Sequence, residues 1–173
     1  DGGFIALGYS QSIDGDITDN TTQVNRYWLV KTDSEGIIQW SKTYGGTDDD
    51  RGEEVIQTSD GGYAMIGYSR SNDGDVSTNE GFQDHWIVKL DAQGDFIWAK
   101  TLGGTRDDGG VSVGTDTLGN VYTMGYFRDT VDFNPDTTIF NLAASTIWDE
   151  TFILKLDPQG AFVWAQSCVS YSC

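Results

Sequence analysis

The sequence predicts an all-β fold: a β-propeller-type array of about three four-stranded blades. Three observations predict it. The chain of 173 residues repeats itself with a step of 58–59 residues. Each repeat breaks into short runs of Val, Ile, Tyr, Phe and Trp separated by Gly, Asp and Asn clusters, which is the punctuation of strands and turns. No window sustains a helical period. Four strands in a repeat of this length describe a propeller blade.

The elements follow in chain order. GGFIALGYS at 2–10 returns as GGYAMIGYS at 61–69 and more loosely as GNVYTMGYF at 119–127. Phe4, Ile5, Ala6 and Leu7 are apolar on both faces, as in a strand between two layers. YWLVKTDSEGIIQWSK at 27–42 returns as HWIVKLDAQGDFIWAK at 85–100 and TFILKLDPQGAFVWAQ at 151–166. Within it Trp28 and Val30 share one face with their equivalents Trp86, Val88, Phe152 and Leu154, and Lys31, Lys89 and Lys155 alternate to the other. Asp33 to Gly36, Asp91 to Gly94 and Asp157 to Gly160 are tight hairpin turns, with Gly where a positive φ is needed. A fourth strand is expected at Val55 to Thr58 and again at Val111 to Thr115. The units are 1–59, 60–117 and 118–173, together one domain. The third carries an eight-residue insertion between Gly125 and Lys155 and ends on an incomplete last strand.

Composition restricts the function classes. The 6 Trp, 8 Tyr and 8 Phe mark a globular chain. A net charge of −17 with only 10 Lys and Arg opposes binding to nucleic acid, whose affinity comes from cations neutralising phosphate. No apolar run is long enough for a membrane span. No secretory leader opens the chain, and a mature secreted protein would have lost one. Cations, neutral ligands such as glycans, and basic protein partners remain. Cys168 and Cys173 are spaced to close a small disulfide loop, with a packed thiol at Cys168 as the other reading.

The units resemble the bacterial β-propeller repeats of secreted and cell-surface proteins, the SBBP-type repeats. The residues that carry the resemblance are GNVYTMGYF, TVDFNP at 130–135 and FILKLDPQGAFVWA at 152–165, with DGG(F/Y), the GYS strand end, the (L/I)-V-K strand and GGT in units one and two. The resemblance implies an extracellular or surface module that is not an enzyme, serving as a scaffold for protein or glycan binding or adhesion. Three units do not close a ring of four to eight blades. The chain is therefore expected either to be a segment of a longer protein or to self-associate through its open strand edges into a ring or filament. DAQGDFIW also resembles the blade motif of quinoprotein propellers, which makes a fragment of such an enzyme the third reading. The sialidase Asp-box fits less well, its spacings being shorter.

Candidate sites are few. SIDGDITDN at 12–20 and SNDGDVSTN at 71–79 place Asp14, Asp16 and Asp19, then Asp73, Asp75 and Asn79, on Gly-containing turns. Their hard oxygens suit Ca²⁺, and the same residues also make Asx-type turns that end a strand. Duplication alone explains their recurrence. Unit three offers Asp132, Asn134 and Asp136 in a different setting. Asp48 to Asp50 and Arg106 to Asp108 read as solvated loops, and His85 as a strand-surface residue. Trp148, Phe133 and Phe140 cluster near the insertion as partner-contact aromatics, or as a lid in which Trp148 matches Phe82. No paired carboxylates, Ser-His-Asp set or phosphate loop marks a catalyst.

Overall fold

The computed structural model describes residues 2–136, 138–145 and 148–168. Among these the chain is all β, with no helix and hence none long enough to cross a membrane. Strands β1 (Ile5–Ser10), β2 (Arg26–Thr32) and β3 (Ile38–Tyr44) form an antiparallel sheet in the order β1-β2-β3. Strands β4 (Asp50–Gln57), β5 (Tyr63–Ser69), β6 (Asp84–Leu90) and β7 (Phe96–Leu102) form a four-stranded meander. Strands β8 (Gly109–Thr115), β9 (Val121–Phe127), β12 (Glu150–Leu156) and β13 (Phe162–Cys168) form another. The segment holding the insertion folds into a small hairpin, β10 (Thr130–Asp132) with β11 (Asn141–Ala143). The architecture is a partial propeller.

The hairpin turns form as the spacing predicts. The Asp91 carboxylate accepts the amides of Gln93 and Asp95, each at 2.8–2.9 Å, and Gly94 turns the chain at φ +77°. Asp33 and Asp157 repeat the arrangement with Gly36 and Gly160. A side-chain acceptor and a left-handed glycine together satisfy a bend the backbone cannot make alone.

The three sheets stack face to face. Alternation along β2 sends Tyr27 and Leu29 toward the second sheet, where they meet Met65, Trp86, Val88 and Leu90. Along β6 the same alternation sends Ile87 toward the third sheet, where Phe152, Leu154 and Leu156 await it. The middle sheet is therefore covered on both faces, and every residue of β6 is buried. The tryptophans of β3 and β7 seat against the next hairpin turn. Trp40 lies over Gly94, and Trp98 lies over Gly160 and donates to the Pro158 carbonyl at 3.1 Å. Trp28 and Val30 on the first sheet, and Ile153 and Trp164 on the third, hold the equivalent positions on the two outward faces, where they are only part-buried or exposed.

Two expectations about strands change. Of the two expected strands, Val55 to Gln57 lies in β4, with Thr58 in the turn after it, and Val111 to Thr115 lies in β8; β4 and β8 each open the following sheet rather than closing their own unit. The tight Thr58–Gly62 turn ties β4 to β5, whereas the Tyr44–Asp50 loop carries the chain over to the next sheet. The third sheet thus has four strands, because β8 comes from the preceding repeat, and the three-stranded sheet is the first. Phe4, just before β1, at 64% exposure and Ala6 within β1 face solvent, so that strand is covered on one face.

Candidate functional site

The chemistry concentrates where loops cross between sheets. Asp50, where the β3–β4 loop enters β4, is fully buried. Its carboxylate accepts the Gly46 amide at 2.8 Å, the Ser71 hydroxyl at 2.9 Å and the Ser69 hydroxyl. A Cβ on Gly45 would lie 2.3 Å from an Asp50 carboxylate oxygen, and its φ of +144° also favours glycine. The β7–β8 loop repeats the device. Asp108 is 1% exposed and accepts the amides of Gly104 at 2.8 Å and Arg128 at 2.9 Å. The expectation of solvated loops is therefore corrected for Asp50 and Asp108. The GGTxxD spacing lets the last carboxylate fold back onto the second glycine's amide, which buries it as a crosslink between strands.

Asp84, at the start of β6, is 1% exposed. Its Oδ2 accepts the Glu80 amide at 2.7 Å, while Oδ1 has no partner among the described residues. The Thr101 hydroxyl is likewise buried and unpartnered. Both residues line a cavity of about 210 Å³ together with Thr78, Glu80, Asp132 and Asp136. Burial pushes the Asp84 carboxyl up to about 7, and the charges of Asp108 and Glu80 add to the rise against the Glu80 amide. Burial also raises Asp108, to about 6. His85 packs against Phe152 between the second and third sheets, its ring nitrogens 3.3 Å from the Gly67 carbonyl and 3.1 Å from the Thr123 hydroxyl. Burial lowers it to about 4. It is a buried inter-sheet residue rather than the strand-surface residue expected.

These groups set opposite pH limits. Asp84 and Asp108 stay protonated longer folded than unfolded, so their contribution is full below about pH 4 and is lost as the pH rises through 6–7. His85 contributes above about pH 6.5, and that contribution is lost as the pH falls toward 4. Asp84→Asn keeps the acceptor for Glu80 and cannot ionise. Its melting temperature should match the wild type near pH 4, where both forms of the wild type are protonated, and exceed it by about 3–6 °C at pH 8. An offset equal at both pH values would remove the assignment.

The acidic loops hold themselves by hydrogen bonds. Asp19 accepts the amide and hydroxyl of Thr43, and Asp73 those of Thr47. Asp75 takes the Gly45 amide and the Arg26 guanidinium, both at 3.0 Å. Asn79 bonds the Ser69 carbonyl and the Gly81 amide, and Asp14 accepts the Ser12 hydroxyl. Asp16 is exposed. Among the described residues, no three His, Cys, Asp or Glu side chains group as a metal centre. These bonds already close the loops, so we expect the same melting temperature in millimolar Ca²⁺ and in chelator. A rise with Ca²⁺ that Asp16→Ala removes would instead make them ion sites.

The aromatics separate. Phe133 is 1% exposed and packs on Phe127 and Phe152, a core position rather than a contact residue, because the β10–β11 hairpin folds it inward. Phe140 lies at the surface against Phe162. Trp148 is 73% exposed and Phe82 71%, so neither is a lid. Cys173 lies outside the described residues. Sequence reasoning missed Asp84 and Thr101. A signal existed in the repeat alignment, where NRYW in the first unit becomes QDHW in the second and exchanges Arg26 for Asp84.

No family model matches the chain. It is similar to an uncharacterized WD repeat-containing protein of Acanthamoeba polyphaga mimivirus, 26% identical over 179 aligned residues that cover 86% of this chain. The chain spans 13% of that protein's length. The likeness agrees with the repeat propeller architecture of the sheets.

Proposed function

We propose that this chain is a propeller-type scaffold whose exposed sheet faces dock a further sheet of the same repeat type, within a non-enzymatic extracellular or surface binding module. The extracellular placement rests on the resemblance of the repeats alone. The docking function rests on one observation: the two outward faces carry the complementary halves of an interface that the molecule forms twice internally. Ile153 and Trp164 repeat Leu29 and Trp40, which pack on the second sheet, while Trp28 and Val30 repeat Trp86 and Val88, which receive them.

That complementarity also favours self-association over an unrelated occupant, as a head-to-tail ring or filament. Sedimentation at physiological ionic strength, where repulsion between chains of charge −17 is screened, tests it. Association should grow with concentration and vanish in Ile153→Asp while the circular dichroism stays unchanged. A chain that stays monomeric throughout overturns docking between copies.

A further inference from the structure

We infer that the acidic cavity between the second and third sheets is a recess for a cationic side chain, a guanidinium foremost, presented by a partner protein. The first inter-sheet junction shows what such a place holds. There Arg26, at the start of β2, lays its guanidinium on Asp75, 3.0 Å away and in turn bonded to the Gly45 amide. Thr43 beside it is satisfied by Asp19. Pairing register carries each position to the second junction: Tyr27 with Tyr44 becomes His85 with Leu102, and Trp28 with Thr43 becomes Trp86 with Thr101. Asp84 therefore stands where Arg26 stood and Thr101 where Thr43 stood. By the repeat step, Thr78 replaces Asp19. The resident cation is gone, and a carboxylate has taken its place.

What remains is a cavity lined by Asp84 and Thr101, with no cation on the Asp84 carboxylate among the described residues. Asp84 Oδ1 and Thr101 Oγ1 are buried without a partner among the described residues. A buried carboxylate without a counter-charge is costly, and one paired bidentately with a guanidinium is not. The other acids of the lining are already engaged. Asp132 accepts the amides of Asn134 and Phe140, and Asp136 accepts Lys100 and the Phe162 amide. Glu80, exposed, adds a further charge to the lining. About 210 Å³ holds several waters at about 30 Å³ each, or one guanidinium head. A bare divalent ion fits less well, since no three acidic, His or Cys side chains converge among the described residues. A planar group with several N–H donors suits two separated oxygen acceptors. The charge of −17 draws basic partners toward the surface.

The test is a titration of the chain with N-acetyl-arginine amide, followed by amide chemical shifts. Saturable shifts confined to Asp84, Thr101, Gly103 and their neighbours are expected, with a millimolar dissociation constant. Asp84→Asn should weaken binding by about tenfold or more. Glu80→Gln, at an exposed position where folding is not at stake, should weaken it about threefold. Parallel titrations use N-acetyl-lysine amide and calcium chloride. Binding of the lysine probe at equal or lower affinity supports a cationic side-chain recess. Saturable shifts with calcium and none with arginine overturn it in favour of a metal site. No saturable shifts with any probe overturn it outright.

Discussion

Replacing Trp86 by alanine is expected to destabilise the fold by about 3–5 kcal/mol, while the same change at its repeat equivalent Trp28 should cost about 1 kcal/mol. Trp86 is fully buried in the first inter-sheet core, its ring 4.6 Å from that of Tyr27 in an edge contact. Truncation leaves a cavity that sheets pinned on both sides cannot collapse to fill. Trp28 is only part-buried, with its indole N–H on the Ser41 hydroxyl at 2.7 Å. Trp86→Phe separates packing from polarity. The Trp86 indole nitrogen has no acceptor, so a phenyl ring keeps most of the burial and loses no hydrogen bond, and should cost about 1 kcal/mol. Urea unfolding, with midpoint and slope both measured, checks all three. Equal losses at Trp28 and Trp86 would contradict the stacking order of the sheets.

Asp50→Ala should cost about 3 kcal/mol. The substitution strands the Gly46 amide and the Ser69 and Ser71 hydroxyls in a site closed to water, and each buried donor left without an acceptor costs about 1–3 kcal/mol. Burial raises the Asp50 carboxyl above its ordinary value despite these three bonds. Asp50→Asn, which keeps an acceptor and needs no charge, should therefore lose less, about 1–2 kcal/mol. Asp48, two residues earlier and exposed, is the control: Asp48→Ala should stay within about 0.5 kcal/mol. If Asp48→Ala and Asp50→Ala destabilise alike, the crosslink is not what holds this loop.

Much of this architecture is legible in the chain itself, because the DxxG turns and the alternation around Trp86 are local rules with local causes. The grouping of strands is not. A period of 58–59 residues is the same wherever the count begins, so the repeat cannot say whether β4 ends one blade or opens the next. That choice falls to the Thr58–Gly62 turn, which is short enough to force β4 against β5. Asp50 and Asp108 were unreadable for a different reason. A carboxylate in a Gly-rich loop has the same composition whether it meets water or an amide, and only the backbone path brings Gly46 or Gly104 to it. Asp84 was within reach, since Arg26 and Asp84 at one repeat position announce a change of electrostatic role.

The offset between repeat and sheet also bears on how the molecule comes apart. Each full sheet takes three strands from one repeat and its first strand from the repeat before. No repeat can then unfold without stripping a strand from its neighbour's ladder. The Tyr44–Asp50 and Leu102–Asp108 loops, held by buried carboxylates, act as the stitches between units. Repeats that meet only at nearest-neighbour contacts can fray one at a time. Here shared hydrogen-bond ladders join the repeats into one cooperative unit, and hydrogen exchange should report a single opening energy across β4–β9 and β12 rather than a graded series.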